Sequence, residues 1–278
     1  MKRRATHSRK RSASQRLVRT ALRNWGSDQS WNAIVELQMR GSPQMLAFAG
    51  VLARNSNWRR RALGLSIAAQ LRRRIAGRES FVYAVEETQA LLLAGLNDPH
   101  EEVLISAIAG LGHRPCEQAL RPLLALIAHP DPGVRWHLAC SLGSYSQPEA
   151  LAALMQLGRD TEARVRDWAT FGVGTLQQVD TPEIREFLWS QLHDLDANVR
   201  GEALQGLATR QDERVAPYLV EHLNEDCGSL ELEAAEQAAN PLLLEPLQRI
   251  ADAVAGQDLD VMWLGQLYAA IEASEAQS

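Results

Sequence analysis

The sequence predicts an all-α protein built as a stack of about six to seven helical hairpins, and three observations predict it. A short motif, a turn with Asp or Pro followed by Val-Arg or its equivalent and then Ala and Leu at helical spacing, recurs from residue 97 onward. Taking Val103, Val134, Val165, Val199 and Leu230 as anchors, the intervals are 31, 31, 34 and 31 residues, room for two short helices and two turns. Between the anchored segments lies a second apolar stretch (CEQALRPLLALI, QPEALAALMQLG, TPEIREFLWSQL, DERVAPYLVEHL), so each repeat reads as a hairpin. The composition agrees: 46% of residues are hydrophobic, Ala and Leu lead that set, and only 5% are aromatic, which suits packed helices rather than sheets.

Residues 1–19 (MKRRATHSRKRSASQRLVR) hold eight Lys/Arg, no acid and few apolar side chains, and are expected to form a disordered basic arm. The solenoid is expected over residues 20–272, with irregular hairpins over 20–96 in which Trp58 takes the anchor position and Ala62 follows four residues on. Clear repeats span 97–239. Pro-Glu pairs after Gln147 and Thr181 mark helix starts, because proline lacks only a donor that the first turn leaves unpaired. The segments NPLLLEPLQRIADAV and DLDVMWLGQLYAAIEA are expected to cap the stack over 240–272, since an array must cover its last apolar face, and residues 273–278 to fray.

The net charge of −5 conceals a division: residues 1–80 carry 18 Lys/Arg against 3 Asp/Glu, and residues 81–278 carry 11 against 31. The two parts attract different partners, or each other. No apolar run reaches the roughly 20 residues of a membrane span and no signal-peptide pattern follows the basic start, so a soluble, cytoplasmic protein is expected. Cys116, Cys140 and Cys227 are odd in number and widely spaced, which argues against a disulfide framework or a thiolate metal site and for reduced, mostly buried thiols. The histidines lack metal-ligand spacing, and no cofactor or metal is expected.

The segments RRRALGLSIAAQL, DPGVRWHLACSLG, VRDWATFGVG and VRGEALQGLATRQDERVAPYL resemble successive repeats of bacterial HEAT-repeat proteins, of the type grouped with phycobilisome-lyase HEAT-like repeats, over about residues 29–255. The resemblance implies a right-handed αα superhelix of the HEAT/armadillo kind. It also implies a stacking Asp-Arg ladder, to which Asp131/Arg135, Asp160/Arg166 and Asp196/Arg200 correspond, and a concave surface lined by the anchored helices. On those helices the offsets 0, +1, +4, +5 and +8 form a buried arc, and +2, +3, +6, +7 and +10 face away from it. The residues so placed on the concave face are Arg60 and Arg61, Ile105 and Ser106, Trp136, His137 and Cys140, Asp167, Trp168 and Phe171, Glu202 and Gln205, and Glu233 and Glu236.

This face runs from arginines through aromatic rings to carboxylates. Rings flanked by charge are typical anchors of a protein interface, so the expected function is non-catalytic: a scaffold, adaptor or inhibitor that holds a partner protein there, with Trp136 and Trp168 as anchors. His137 and Cys140 lie three residues apart on one helical face, but no orienting group or oxyanion donor accompanies them. Nucleic-acid binding is the alternative, since Trp136, Asp167 and Trp168 resemble the concave side chains of HEAT-like alkylpurine DNA glycosylases. The acidic repeats oppose phosphate, and only the basic N-terminal third suits it. A bilin-lyase activity, the third class, finds no residue here that matches a chromophore site.

Overall fold

The computed structural model describes residues 2–74 and 80–277, with side chains described from residue 13 onward. The described residues are mostly helical, as the periodicity predicts. The chain divides into two compact units, Met1–Tyr145 and Ser146–Ser278.

The first unit contains α1 (Lys2–Arg23), α2 (Asp28–Gln38), α3 (Pro43–Ala53), α4 (Trp58–Ala69), α5 (Val85–Gly95), α6 (Glu101–His113), α7 (Glu117–Leu124) and α8 (Pro132–Leu142). A small antiparallel hairpin, β1 (Arg72–Arg74) and β2 (Ser80–Val82), stands between α4 and α5. The second unit contains α9 (Pro148–Leu157), α10 (Ala163–Phe171), α11 (Pro182–Gln191), α12 (Ala197–Thr209), α13 (Val215–His222), α14 (Ser229–Ala238), α15 (Leu244–Ala253) and α16 (Val261–Glu275). A π-helical turn over Gly172–Leu176 extends α10.

The helix starts follow from the sequence. Side chains of Ser27, Ser42, Asn57, Asp131, Thr181, Asp196 and Asp260 accept first-turn N–H groups, and Pro43, Pro132, Pro148 and Pro182 sit in the first turn. In the first unit α4 packs on α6 and α6 on α8; in the second, α10, α12, α14 and α16 pack in succession. The anchors Val103, Val134, Val165 and Val199 are fully buried, together with Leu138, Ala169 and Ala203 four residues beyond the last three.

Two expectations about the N-terminal region are corrected. The segment expected to be a disordered arm is helical from Lys2 through Arg23. Its C-terminal half supplies the reason: Leu17, Val18, Ala21 and Leu22 pack against Ala33, Ile34 and Leu37, so the basic residues extend a helix that is already anchored. Trp58 is not the anchor of its repeat. Arg61 Nη1 donates to the carbonyls six and five residues back, Asn55 O and Ser56 O, and Arg135, Arg166 and Arg200 each make the same pair of bonds. The register therefore places Arg60 where the other repeats have valine. At the other end α16 continues to Glu275, so the tail expected to fray from residue 273 begins as helix; Met1 and Ser278 lie outside the described residues.

Candidate functional site

The turn charges are claimed by the fold, though in a different pairing from the one the sequence suggests. Arg61 meets Asp98 through two bonds of 2.6 and 2.9 Å, and Arg166 meets Asp194 through two of 2.6 and 2.8 Å, each pair joining one anchored helix to the turn before the next. Asp98 and Asp194 also accept the N–H two residues on, from His100 and Asp196. Asp131 and Asp196 are helix caps, accepting from Val134 and from Asn198 and Val199, and Asp160 accepts the Glu162 N–H in its turn. Arg200 bonds the carbonyls of Asp194 and Leu195; the residue that would extend the ladder to it is Asn224, whose Oδ1 accepts from Asp226 N–H. Arg61 thus belongs to the ladder and not to the open face on which the sequence placed it, while Arg60 is exposed.

A second set of arginines, missed in the sequence, closes the ends of anchored helices. Arg210 is buried and donates to Gly174 O (2.6 Å), Gly206 O (2.9 Å), Val173 O (3.0 Å) and Gln177 O (2.8 Å). The π turn shifts carbonyls out of the i→i−4 ladder, and the guanidinium fork satisfies them. Arg114 does the same for Ala69 O and Leu71 O in the first unit. The only signal in the sequence is an arginine at an otherwise apolar helix end.

With these residues assigned, the side chains at offsets +3 and +6, and at +2 on α6, α8 and α10, are what the core leaves over. In the second unit α10 presents Asp167, Trp168 and Phe171. Val165 and Ala169 of the same helix are fully buried, whereas Trp168 is 37% exposed. Its ring meets Phe171 edge to face, with centroids 5.5 Å apart. Beside them Asp167, Glu202 and Glu233 stand on the successive helices α10, α12 and α14, all half-buried. Burial, then the charges of Asp167 and Glu233, push the Glu202 carboxyl up to about 7. Burial, then the charge of Asp196, raises Asp167 as well. Glu233 accepts from Gln266 Nε2 of α16 at 2.7 Å, and Gln205 Oε1, one turn beyond Glu202, is buried with no hydrogen-bond partner among the described residues. Glu236 is exposed.

In the first unit α8 carries Trp136 and His137, both half-buried, with ring centroids 4.4 Å apart and His137 Nδ1 donating to Gly133 O at 2.7 Å. Cys140 is half-buried one turn on, and Ile105 and Ser106 are half-buried on α6, where Ser106 Oγ donates to Glu102 O. The thiol of Cys227 is pushed up to about 11 by burial and by Glu231, so it is protonated and unreactive at neutral pH.

The carboxylate row offers acceptors and negative charge at the surface rather than inside a cavity. A concavity of about 440 Å³ lies in the first unit between α3 and α5, lined by residues such as Leu46, Gly50, Leu91 and Gly95. Among the described residues no group of three or more His, Cys, Asp or Glu is placed to hold a metal, and no helix is long and apolar enough to cross a membrane.

The family profile of HEAT repeats matches residues 89–174 and 171–240. Protein YibA of Escherichia coli (strain K12) is 26% identical over 200 residues, which cover 68% of this chain and 68% of YibA. The X-ray structure of E. coli YibA matches with a TM-score of 0.70 at 21% identity, over 97% of this chain and 96% of that one. The crystal structure of Kap121p matches with a TM-score of 0.58 at 14% identity, over 92% of this chain and 33% of Kap121p. At these identities the structural matches show the fold.

Proposed function

The chain belongs to the HEAT-repeat family, and from that premise we propose that it is a non-catalytic scaffold that holds a partner protein on the outward side chains of its anchored helices. The observation that carries this reading is Trp168: a large ring, 37% exposed, on a helix whose packing positions are filled by fully buried Val165 and Ala169. Burying such a ring in a partner gains apolar area at low entropic cost, and Phe171 already holds it edge to face. Asp167 and Glu202 supply acceptors beside the ring, and half-buried carboxylates with raised proton affinity gain from donors that a partner brings. On α8 of the first unit Trp136 and His137 stand at the same offsets from Val134 as Asp167 and Trp168 do from Val165, whereas Arg60, at the anchor position of its repeat, does not belong to this set.

Catalysis is not part of the proposal, because among the described residues no nucleophile with an adjacent base accompanies the carboxylate row. Affinity capture from the native host followed by mass spectrometry, run with the intact protein and with Trp168→Ala, tests the reading. A protein captured by the first and lost by the second, with both equally folded, is the expected result; equal capture by both overturns the role of this face.

A further inference from the structure

Four arginines converge on the small hairpin of the first unit. Gly41 N–H donates to Arg72 O at 2.7 Å and a β-bridge pairs Arg40 with Arg73, so the backbone lays Arg40 alongside Arg72, Arg73 and Arg74. A Cβ at position 41 would stand 2.6 Å from Arg72 O, so glycine is what permits this approach. Arg40 Nη1 donates to Ser14 Oγ at 3.0 Å, which ties the hairpin edge to α1, a helix of 22 residues. That helix carries nine Lys/Arg and no Asp/Glu.

The fold uses only part of this charge. Arg72 is held by Ser80, through Nε to Oγ at 2.9 Å and Nη2 to the carbonyl at 2.7 Å, and Arg40 lies 4.0 Å from Glu36. Arg73 and Arg74 are exposed and form no ion pair among the described residues. Like charges on neighbouring strands repel, and nothing in the packing requires these two, so the cluster is suited to an anion from outside. The register sets Phe81 directly across from Arg73 on the same face of the hairpin, and Phe81 is 43% exposed.

We propose that this edge binds the backbone of single-stranded nucleic acid, with phosphates on Arg40 and Arg73 beside an unpaired base stacked on Phe81, and with the backbone passing over the strand to Arg74 on its opposite face. Guanidinium groups bind phosphate oxygens in a bidentate fork, and an aromatic ring beside a basic track gives a base a surface to stack on. An acidic polypeptide would satisfy the arginines but leaves the ring without a planar partner. The charge distribution selects the same end of the chain, with 21 Lys/Arg against 10 Asp/Glu in residues 1–145 and 8 against 24 in residues 146–278. This site is independent of the partner-holding face on α10, α12 and α14.

Fluorescence anisotropy of a labelled oligothymidylate of about 20 nucleotides, titrated with the full chain at about 50 and 200 mM salt, tests the proposal. Binding at low salt is expected, weakening about tenfold or more at the higher salt as three phosphate contacts are screened. Arg73→Glu with Arg74→Glu is expected to remove at least tenfold in affinity, and Phe81→Ala about tenfold with the salt dependence unchanged. If the double glutamate variant melts early, Arg73→Gln with Arg74→Gln removes the charge without reversing it. No binding at low salt, or affinity untouched by these changes, overturns the proposal. Equal binding of poly-glutamate that is indifferent to Phe81→Ala overturns it in favour of an acidic protein.

Discussion

The guanidinium of Arg166 grips both carboxylate oxygens of Asp194 at 2.6 and 2.8 Å, tying α10 to the turn that starts the next repeat. Both side chains are mostly withdrawn from water, 17% and 11% exposed. Deleting one leaves the other partly buried without its counter-charge. Asp194→Ala is therefore expected to destabilise the second unit by about 2–3 kcal/mol, measured by urea unfolding. The Arg166 bonds hold the Asp194 carboxyl below its usual value, so this contribution is present above about pH 4 and is lost as pH falls through the lower folded value. Wild type is expected to approach the variant in stability as the solution is acidified below that point.

Gly206 packs against the π turn so closely that a Cβ on it would lie 2.7 Å from Gly174 Cα. A backbone atom cannot swing aside as a side-chain tip can. Gly206→Ala is expected to cost about 1–3 kcal/mol by thermal melting, and Arg210→Met, which strips the donors from four buried carbonyls, more than that.

Glu202 titrates upward of its normal range because burial and the charges of Asp167 and Glu233 disfavour its ionised form. A carboxyl whose folded value is raised binds protons more tightly folded than unfolded, so stability declines as pH rises from about 4.5 to about 7 and then levels. Glu202→Gln removes that penalty. It is expected to raise stability by about 1–2 kcal/mol at pH 8, after allowance for solvent screening, and to leave it unchanged near pH 4. Paired denaturation curves at the two pH values check this.

The repeat register was legible in the sequence wherever valine anchors the helix, and misread where it does not. Around Trp58 the anchor position is held by Arg60, so counting from the large apolar residue put Arg61 on the open face by two positions. Only the hydrogen bonds to Asn55 and Ser56 reveal the equivalence with Arg135 and Arg166. The ladder residues could be named from their spacing, but not their partners, because Asp98 and Arg61 are 37 residues apart and meet only when the repeats stack. The helical state of the basic N-terminus was hidden for a similar reason: Leu17, Val18 and Leu22 look sparse in the sequence and become an apolar face only against α2. The leftover aromatic and acidic residues of α10 and α12 could be listed in advance because they follow from helical period alone, whereas the raised proton affinity of Glu202 depends on neighbours in other repeats.

The register correction has its own check. Arg61→Ala is expected to destabilise the first unit by about 2 kcal/mol, since it frees a partly buried Asp98 carboxylate and two turn carbonyls, whereas the neighbouring exposed Arg60→Ala is expected to change stability by less than about 0.5 kcal/mol. Chemical denaturation of the two variants side by side distinguishes them.

The central claim is that the outward side chains of α10 and α12 hold a protein partner, and titration calorimetry of the captured partner against Trp168→Ala measures it most directly. The account predicts an affinity weakened about thirtyfold or more, with the protein still folded and only a modest fall in melting temperature, because the packing positions of α10 are held by Val165 and Ala169 while the ring is 37% exposed. Unchanged affinity together with a markedly lower melting temperature would contradict it, and would return Trp168 to the packing of the repeats.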